Sequence, residues 1–465
     1  MRNPPLAAAH LPRRRVGLAL VDRDAAGALV LAGALPFLFL HKNYQPDLAV
    51  GVSSTTLDIR LSDLAALAVV VAAVVSARRS GVTPLRAARS LWLAGALFLG
   101  WLAFETVRPA SVHDDLFASH VVTALKLVEY ALLALAVPLL VRRVTDLTIV
   151  LGAAVVWSGL ATGVALAQFF GLDVFEAWNP GWRQPSFLGH HDFASLSAIA
   201  VSLAAAGIVV GRKRMPVAPL FALALVAGAL GLVLAGSVTA AAGFAAGAFV
   251  LALGSHRRFA PSPRRLLALG AVVLVVAAGI TAVRADSLAD FMRFLGVRGQ
   301  ETPAGIESYS QRTVLAYIGL RIFEDHPVLG VGWQRSERPE VFRPYLADAH
   351  RRFPDVVPLA FPSAEHPWGI QNLYVQMLAD AGLVGLALLL ALGACGLLLA
   401  WRTAQHASTP WAVGAGLLTL CGLLTIAGVW SSLGIVTGIP LQAATSLLFG
   451  LAAAGAATVE DETRG

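Results

Sequence analysis

Residues 266–283 read LLALGAVVLVVAAGITAV, with Arg264 and Arg265 before them and Arg284 after. An uncharged helix of this length nearly spans a hydrocarbon core of ~30 Å. The run is one of many. Comparable stretches lie at 25–40, 62–77, 90–106, 120–141, 147–170, 192–210, 216–235, 238–254, 374–400, 411–430 and 440–457. Hydrophobic residues make up 57% of the chain and charged residues only 14%, against about 25% charged in a soluble globular protein. Lipid offers the backbone no hydrogen-bond partners, so each span must be helical. The expected fold is all-α: a polytopic transmembrane helical bundle of about twelve spans. The basic Arg13-Arg14-Arg15 cluster followed by an apolar run resembles a signal peptide in outline. With no small-residue cleavage site and more spans to come, it reads as an uncleaved first span.

Charge sets orientation. With the N-terminus placed inside, the inside loops and termini hold twenty Arg and Lys residues, and the short outside loops hold four: Lys42, Arg60, Arg108 and Arg183. Such a bias puts both termini in the cytoplasm. It also places 284–371 outside as one large extracytoplasmic loop, between spans one to nine (1–283) and spans ten to twelve with a cytoplasmic tail (372–465). The expected location is the inner or plasma membrane. The net charge of +7 therefore reflects topology, and no nucleic acid partner is implied. Cys395 and Cys421 lie inside apolar runs with no disulfide or metal spacing.

The outer segment has its own pattern. Leu288, Phe291, Met292 and Leu295 share one helical face, as in an interfacial helix. A break at Gly299–Gly305 follows. Ser308-x-x-Gln311 is a capping box opening a second helix, which His326-Pro327 ends near Asp325. Polar residues facing outward concentrate in three places. These are Trp178–Asp192 with Arg183, His190 and His191; Gln311 to Pro327 with Arg312 and Arg321; and Glu365 to Asn372 with His366 and Gln371. Lys126 and Glu129 lie inside span four, where charge is costly. They either pair with each other or turn Lys126 toward a phosphate.

Two ordered stretches carry a family resemblance. One runs from Arg312 to the Asp325-His-Pro-Val-Leu-Gly-Val-Gly332 turn. The other is Asn372-Leu-Tyr-Val-Gln-Met-Leu-Ala-Asp-Ala-Gly382-Leu-Val-Gly385. With the Arg183 loop and the late outer loop, they resemble the O-antigen ligase and O-antigen polymerase family. The resemblance implies a membrane glycosyltransferase. It would move a glycan from an undecaprenyl-diphosphate carrier to an acceptor glycan or glycolipid on the outer face, with membrane lipids as its other partners. It implies neither a cofactor nor a metal. Arginine, always charged and bidentate, suits a diphosphate leaving group better than lysine. Arg312 and Arg183 are thus the expected catalytic cations, with interfacial anchoring as their plainer role. Lys126, His190, His191, Asn372, Gln371 and Arg321 are expected to bind substrate.

The chain departs from the family at two positions. The ligases place a His directly before the Asn-x9-Gly-x-x-Gly pattern, where this chain has Gln371, which cannot accept a proton as a base. Where the family often has an Arg after a Ser, Ser237 is followed by Val238. His366, on the same loop as Gln371, is the expected replacement base, unless it is only a loop residue beside Pro367. Arg183, Arg312 and Lys126 are expected to meet at one outward-opening cavity. A transporter or flippase, or a non-catalytic component of envelope assembly, is the alternative. No pair of similar halves favours the transporter.

The charge bias makes a direct prediction. Single cysteines placed within 284–371 should react with an impermeant thiol reagent in intact cells, and cysteines within 257–265 should not. The opposite labelling pattern would overturn the orientation.

Overall fold

The computed structural model describes residues 25–52, 55–113, 116–212, 215, 217–297, 308–435 and 439–464. The Arg13–Arg15 cluster, Lys213, Arg214 and the Gly299–Gly305 break lie outside the described residues. Helix α1 (Ala26–Leu38) leads to a hairpin of β1 (Asp47–Val52) and β2 (Thr55–Arg60). Next come α2 (Leu61–Ser80), α3 (Arg89–Val107), the single turn α4 (Pro109–Val112), α5 (Phe117–Leu140) and α6 (Val144–Phe169). They are followed by α7 (His190–Val210), α8 (Phe221–Ala235), α9 (Val238–Phe259) and α10 (Pro263–Val283). The segment 284–371, termed the outer segment after its expected side of the membrane, holds α11 (Ala285–Phe294), α12 (Tyr309–Asp325) and α13 (Pro339–Arg352). The chain closes with α14 (Leu373–His406), α15 (Pro410–Trp430) and α16 (Ile439–Arg464).

Ten helices among the described residues are long and apolar enough to cross a membrane, and Ala26–Leu38 and Val238–Gly254 are shorter apolar helices. The chain is thus a multi-pass helical membrane protein. The twelve-span reading counts both shorter helices. The all-α expectation holds for the bundle, and a short hairpin is added to it: Asp47 pairs with Arg60, and the register runs to Val52 opposite Thr55. Its alternation is too short, and too rich in small and polar residues, to stand out beside the spans.

Two helices form the centre. The apolar window of α7 is 94% buried and that of α15 83%, whereas α10 is 17% buried and lies at the rim. Small residues allow the close packing. A Cβ on Gly228 of α8 would lie 2.2 Å from the Val201 amide nitrogen of α7, and one on Gly428 of α15 would lie 2.2 Å from the Thr239 carbonyl of α9. At one end of the bundle, arginines close helix C-termini. Arg142 donates to the carbonyls of Ser80 (3.2 Å) and Gly81 (3.0 Å) at the end of α2. Arg265 donates to Val209 of α7 (3.2 Å), and Arg258 to Ala404 of α14 (2.9 Å).

The outer segment is fastened to α14 through backbone. Gly382 interrupts that helix with φ 66° and ψ −166°. Across the break, Leu383 N–H donates to Pro327 C=O at 2.9 Å. Val331 and Gly332 in turn donate to the carbonyls of Ala379 (2.9 Å) and Asp380 (2.8 Å). The two stretches that carry the family resemblance are therefore the two halves of one lock. Side chains reinforce it. Arg108, directly after α3, donates to Gly330 C=O (2.9 Å) while lying 3.2 Å from the buried Glu105 carboxylate. The buried Asp380 accepts from Ser336 N–H (2.9 Å). Ser308 caps α12 by accepting from Gln311 N–H (3.1 Å), and the Gln311 side chain donates to Ala360 C=O (3.3 Å).

Two measurements test the lock. A Cβ on Gly382 would lie 2.1 Å from the Val328 carbonyl oxygen, whereas Gly393 on the same helix has open space. Gly382→Ala should cost at least about 3 kcal/mol, seen as a lowered Tm in detergent, and Gly393→Ala should leave Tm unchanged or slightly raised. The second test concerns Glu337, whose carboxyl is pushed up to about 7 by burial and by the Asp380 carboxylate beside it. Between its ordinary 4.5 and about 7 the folded state holds a proton that the unfolded state has lost. Stability therefore falls as pH rises through that window. A thermal-melt series should show this slope reduced in Glu337→Gln.

Candidate functional site

The polar residues of the Arg183 loop, α12 and the α14 mouth meet at one end of α7. Gly189, at φ 88°, turns the chain so that His190, His191 and Asp192 form the first turn of α7. Asp192 is buried and accepts from Leu441 N–H (3.2 Å), tying α7 to the start of α16. The His190 and His191 rings lie 4.0 Å apart, and His190 is 4.9 Å from Trp178.

His191 is the hub. Its Nε2 lies 3.2 Å from an Arg312 terminal nitrogen and its Nδ1 lies 3.4 Å from Ser432 Oγ. Guanidinium only donates, so Nε2 accepts and the proton sits on Nδ1, pointed at Ser432. Ser432 donates to Val429 C=O (2.9 Å) and accepts from Thr239 (3.2 Å), consistent with that tautomer. Arg312 also donates through Nε to Gln371 Oε1 at 2.9 Å. Imidazole from α7 and amide from the α14 mouth thus hold one guanidinium between them.

Two more arginines approach. The Arg183 guanidinium lies 4.4 Å above the Trp178 ring. Gln184 holds this loop: it is buried, its side chain accepts from Trp178 N–H (3.0 Å), and its own N–H donates to Leu234 C=O (2.8 Å). Arg284, at the end of α10, lies 4.8 Å from the Tyr309 ring centroid and is 6% exposed. Gly236, at φ 62°, closes α8 between the two arginine stems, where a Cβ would lie 2.7 Å from Arg183 Cβ and 3.2 Å from Arg284 Cδ. The charges of Arg183, Arg284 and Arg312 all bear on the histidine pair.

Residues 223–390 match the O-antigen ligase family. The matched stretch begins in α8 and ends inside α14. The matched stretch contains Arg284, Arg312, Gln371 and the break at Gly382, while Arg183 and His191 reach it from just upstream. No curated protein matches the chain.

The structure brings together Arg183, His190, His191, Arg312 and Gln371 beside Arg284 and places the other expected residues elsewhere. Lys126 does not join them and does not simply pair with Glu129: its ammonium lies 2.7 Å from Asp63 Oδ2 and donates to Asp58 C=O (2.9 Å), fastening α5 to α2 and the hairpin. Arg321 pairs with Glu324 and with Asp348 (3.5 Å) within the outer segment. Asn372 caps α14, accepting from Tyr374 and Val375 (both 3.1 Å), and donates to Ser431 C=O (2.9 Å). His366 is exposed, its ring 5.6 Å from Trp368 and its backbone N–H bonded to Ser363 (3.0 Å), with no contact to Arg312. Sequence reasoning missed Arg284 and Ser432. Arg284 read as the residue where a span ends, and nothing local in the sequence marks Ser432.

Below the α14 mouth lies an apolar cavity of about 650 Å³ bounded by α3, α5, α14, α15 and α16. Its wall includes Leu373 and Tyr374, directly after Gln371 and Asn372, together with Trp430 and Ile435.

Proposed function

We propose that this protein is a glycosyltransferase that moves a glycan from an undecaprenyl-diphosphate carrier to an acceptor hydroxyl on the outer face of the membrane. In this reading the chain crosses the membrane twelve times with both termini in the cytoplasm, and the 284–371 segment roofs the site from outside. The carrying observation is Arg312, held between His191 and Gln371 with Arg183 close to the same histidines. Guanidinium groups so gathered suit the charge that develops on a departing diphosphate. The apolar cavity beneath takes part of the isoprenoid chain and brings the headgroup up to the α14 mouth.

The transfer needs one bond made and one broken. The acceptor oxygen bonds to the anomeric carbon, and the bond from that carbon to the diphosphate oxygen breaks with its electron pair. The acceptor's proton then needs a base. His191 is better placed than His366, because its Nε2 already accepts a hydrogen bond in the cluster. When phosphate oxygens take over the Arg312 donors, that lone pair is freed to accept the proton. Ser432 faces the proton on Nδ1, which leaves the lone pair on Nε2. The imidazole that the ligases place before the Asn thus comes here from α7, facing the same arginine.

Turnover of lipid-linked glycan by the purified protein tests this. Arg312→Ala should abolish transfer. His191→Ala should lower kcat by about 10²-fold or more, and His366→Ala should leave it within about threefold of wild type. Loss of activity in His366→Ala with normal activity in His191→Ala would move the base back to the loop. Vesicle uptake of the lipid-linked glycan without any turnover would favour the transporter instead.

A further inference from the structure

Arg284 stands out among the buried charges. Only 6% of it is exposed, and its buried Nε has no hydrogen-bond partner. Burying a guanidinium is costly unless its donors and its charge are answered. The ring of Tyr309 answers part of the charge at 4.8 Å. A guanidinium lying against an aromatic face keeps its in-plane N–H groups available for an oxygen ligand. The neighbouring stem is that of Arg183, with only Gly236 between them. Like charges brought side by side repel, and an anion between them turns the arrangement favourable.

We propose that Arg284 is a further phosphate-binding residue of this site, oriented by Tyr309, and that it gives the site its preference for a diphosphate over a single phosphate. The inference rests on the glycosyltransferase reading and goes beyond it in assigning this residue. Arg183 and Arg312 present donors from the α6–α7 loop and from α12. Arg284 adds a third set from the end of α10, enough to engage both phosphate groups at once, whereas a single phosphate is satisfied by fewer donors. Tyr309 acts as a positioning residue. Being the first residue of α12, which also carries Arg312, it links the setting of one arginine to the other.

The test uses the full-length protein in detergent, with farnesyl diphosphate and farnesyl monophosphate as soluble probes and calorimetry as the readout. Wild type should bind the diphosphate more tightly. Arg284→Gln should weaken diphosphate binding by about tenfold or more and monophosphate binding by less than about threefold. Arg284→Lys should recover part of the loss, which keeps the test usable if the Gln variant does not fold. Tyr309→Phe should match wild type, and Tyr309→Leu should move toward Arg284→Gln. Unchanged diphosphate binding in Arg284→Gln, with binding lost in Arg312→Gln, would overturn the assignment of Arg284 and leave the glycosyltransferase reading standing. Unchanged binding in both variants would overturn the two together.

Discussion

Backbone amides and carbonyls released inside a membrane helix must find partners, and in this protein the break at Gly382 finds them in residues 327–332. That exchange positions much else. It holds the end of α12 against α14 and so sets α12 along the mouth of the same helix. Gly319 of α12 leaves room there for Ile370, whose side chain would lie 2.6 Å from any Cβ. With α12 in place, Arg312 reaches Gln371 and His191. The cation at the centre of the site is thus located by main-chain hydrogen bonds formed more than a dozen residues further along the chain. Glycine is needed at the break because no other residue tolerates both that backbone conformation and the approach of the Val328 carbonyl.

The electrostatics follow from the same assembly. Arginines from the α6–α7 loop, from the end of α10 and from α12 are far apart in sequence and meet only when the outer segment is seated. They are held by two devices. Trp178 underlies Arg183, Tyr309 underlies Arg284, and Arg312 is bonded to a neutral imidazole and an amide. Aromatic faces and neutral acceptors hold the cations in place.

Much of this was legible in the sequence, because a span is a local property. Eighteen uncharged residues need no tertiary knowledge to be read as a membrane helix, and α10 follows its run almost to the residue. The hairpin was missed because its alternation is brief. In the site, Arg183, His190, His191, Arg312 and Gln371 were recognised as outward-facing polar residues, and they do come together. His366 was favoured for its nearness to Gln371 along the chain, but five residues of loop turn it outward onto Trp368. Lys126 reads from the sequence as pairing with Glu129 or turning toward a phosphate, whereas its partner is Asp63 on another span. Arg284 carried no signal beyond ending a span. Its importance comes from Tyr309 and Gly236, one on either side of it in the chain and both distant.

The arginines at the opposite end of the bundle have a double burden. Arg142, Arg258 and Arg265 belong to the basic group on which the expected orientation rests, and each also closes the carbonyl end of a neighbouring helix. Insertion responds to positive charge alone, so lysine would serve it equally well. Arg142 and Arg258 each bridge two carbonyls, for which a planar fork is better suited than an ammonium. Lysines at these three positions would keep the charge pattern while losing the forked contacts of Arg142 and Arg258. Orientation and final packing are thereby separable, and the second is the more demanding of the two.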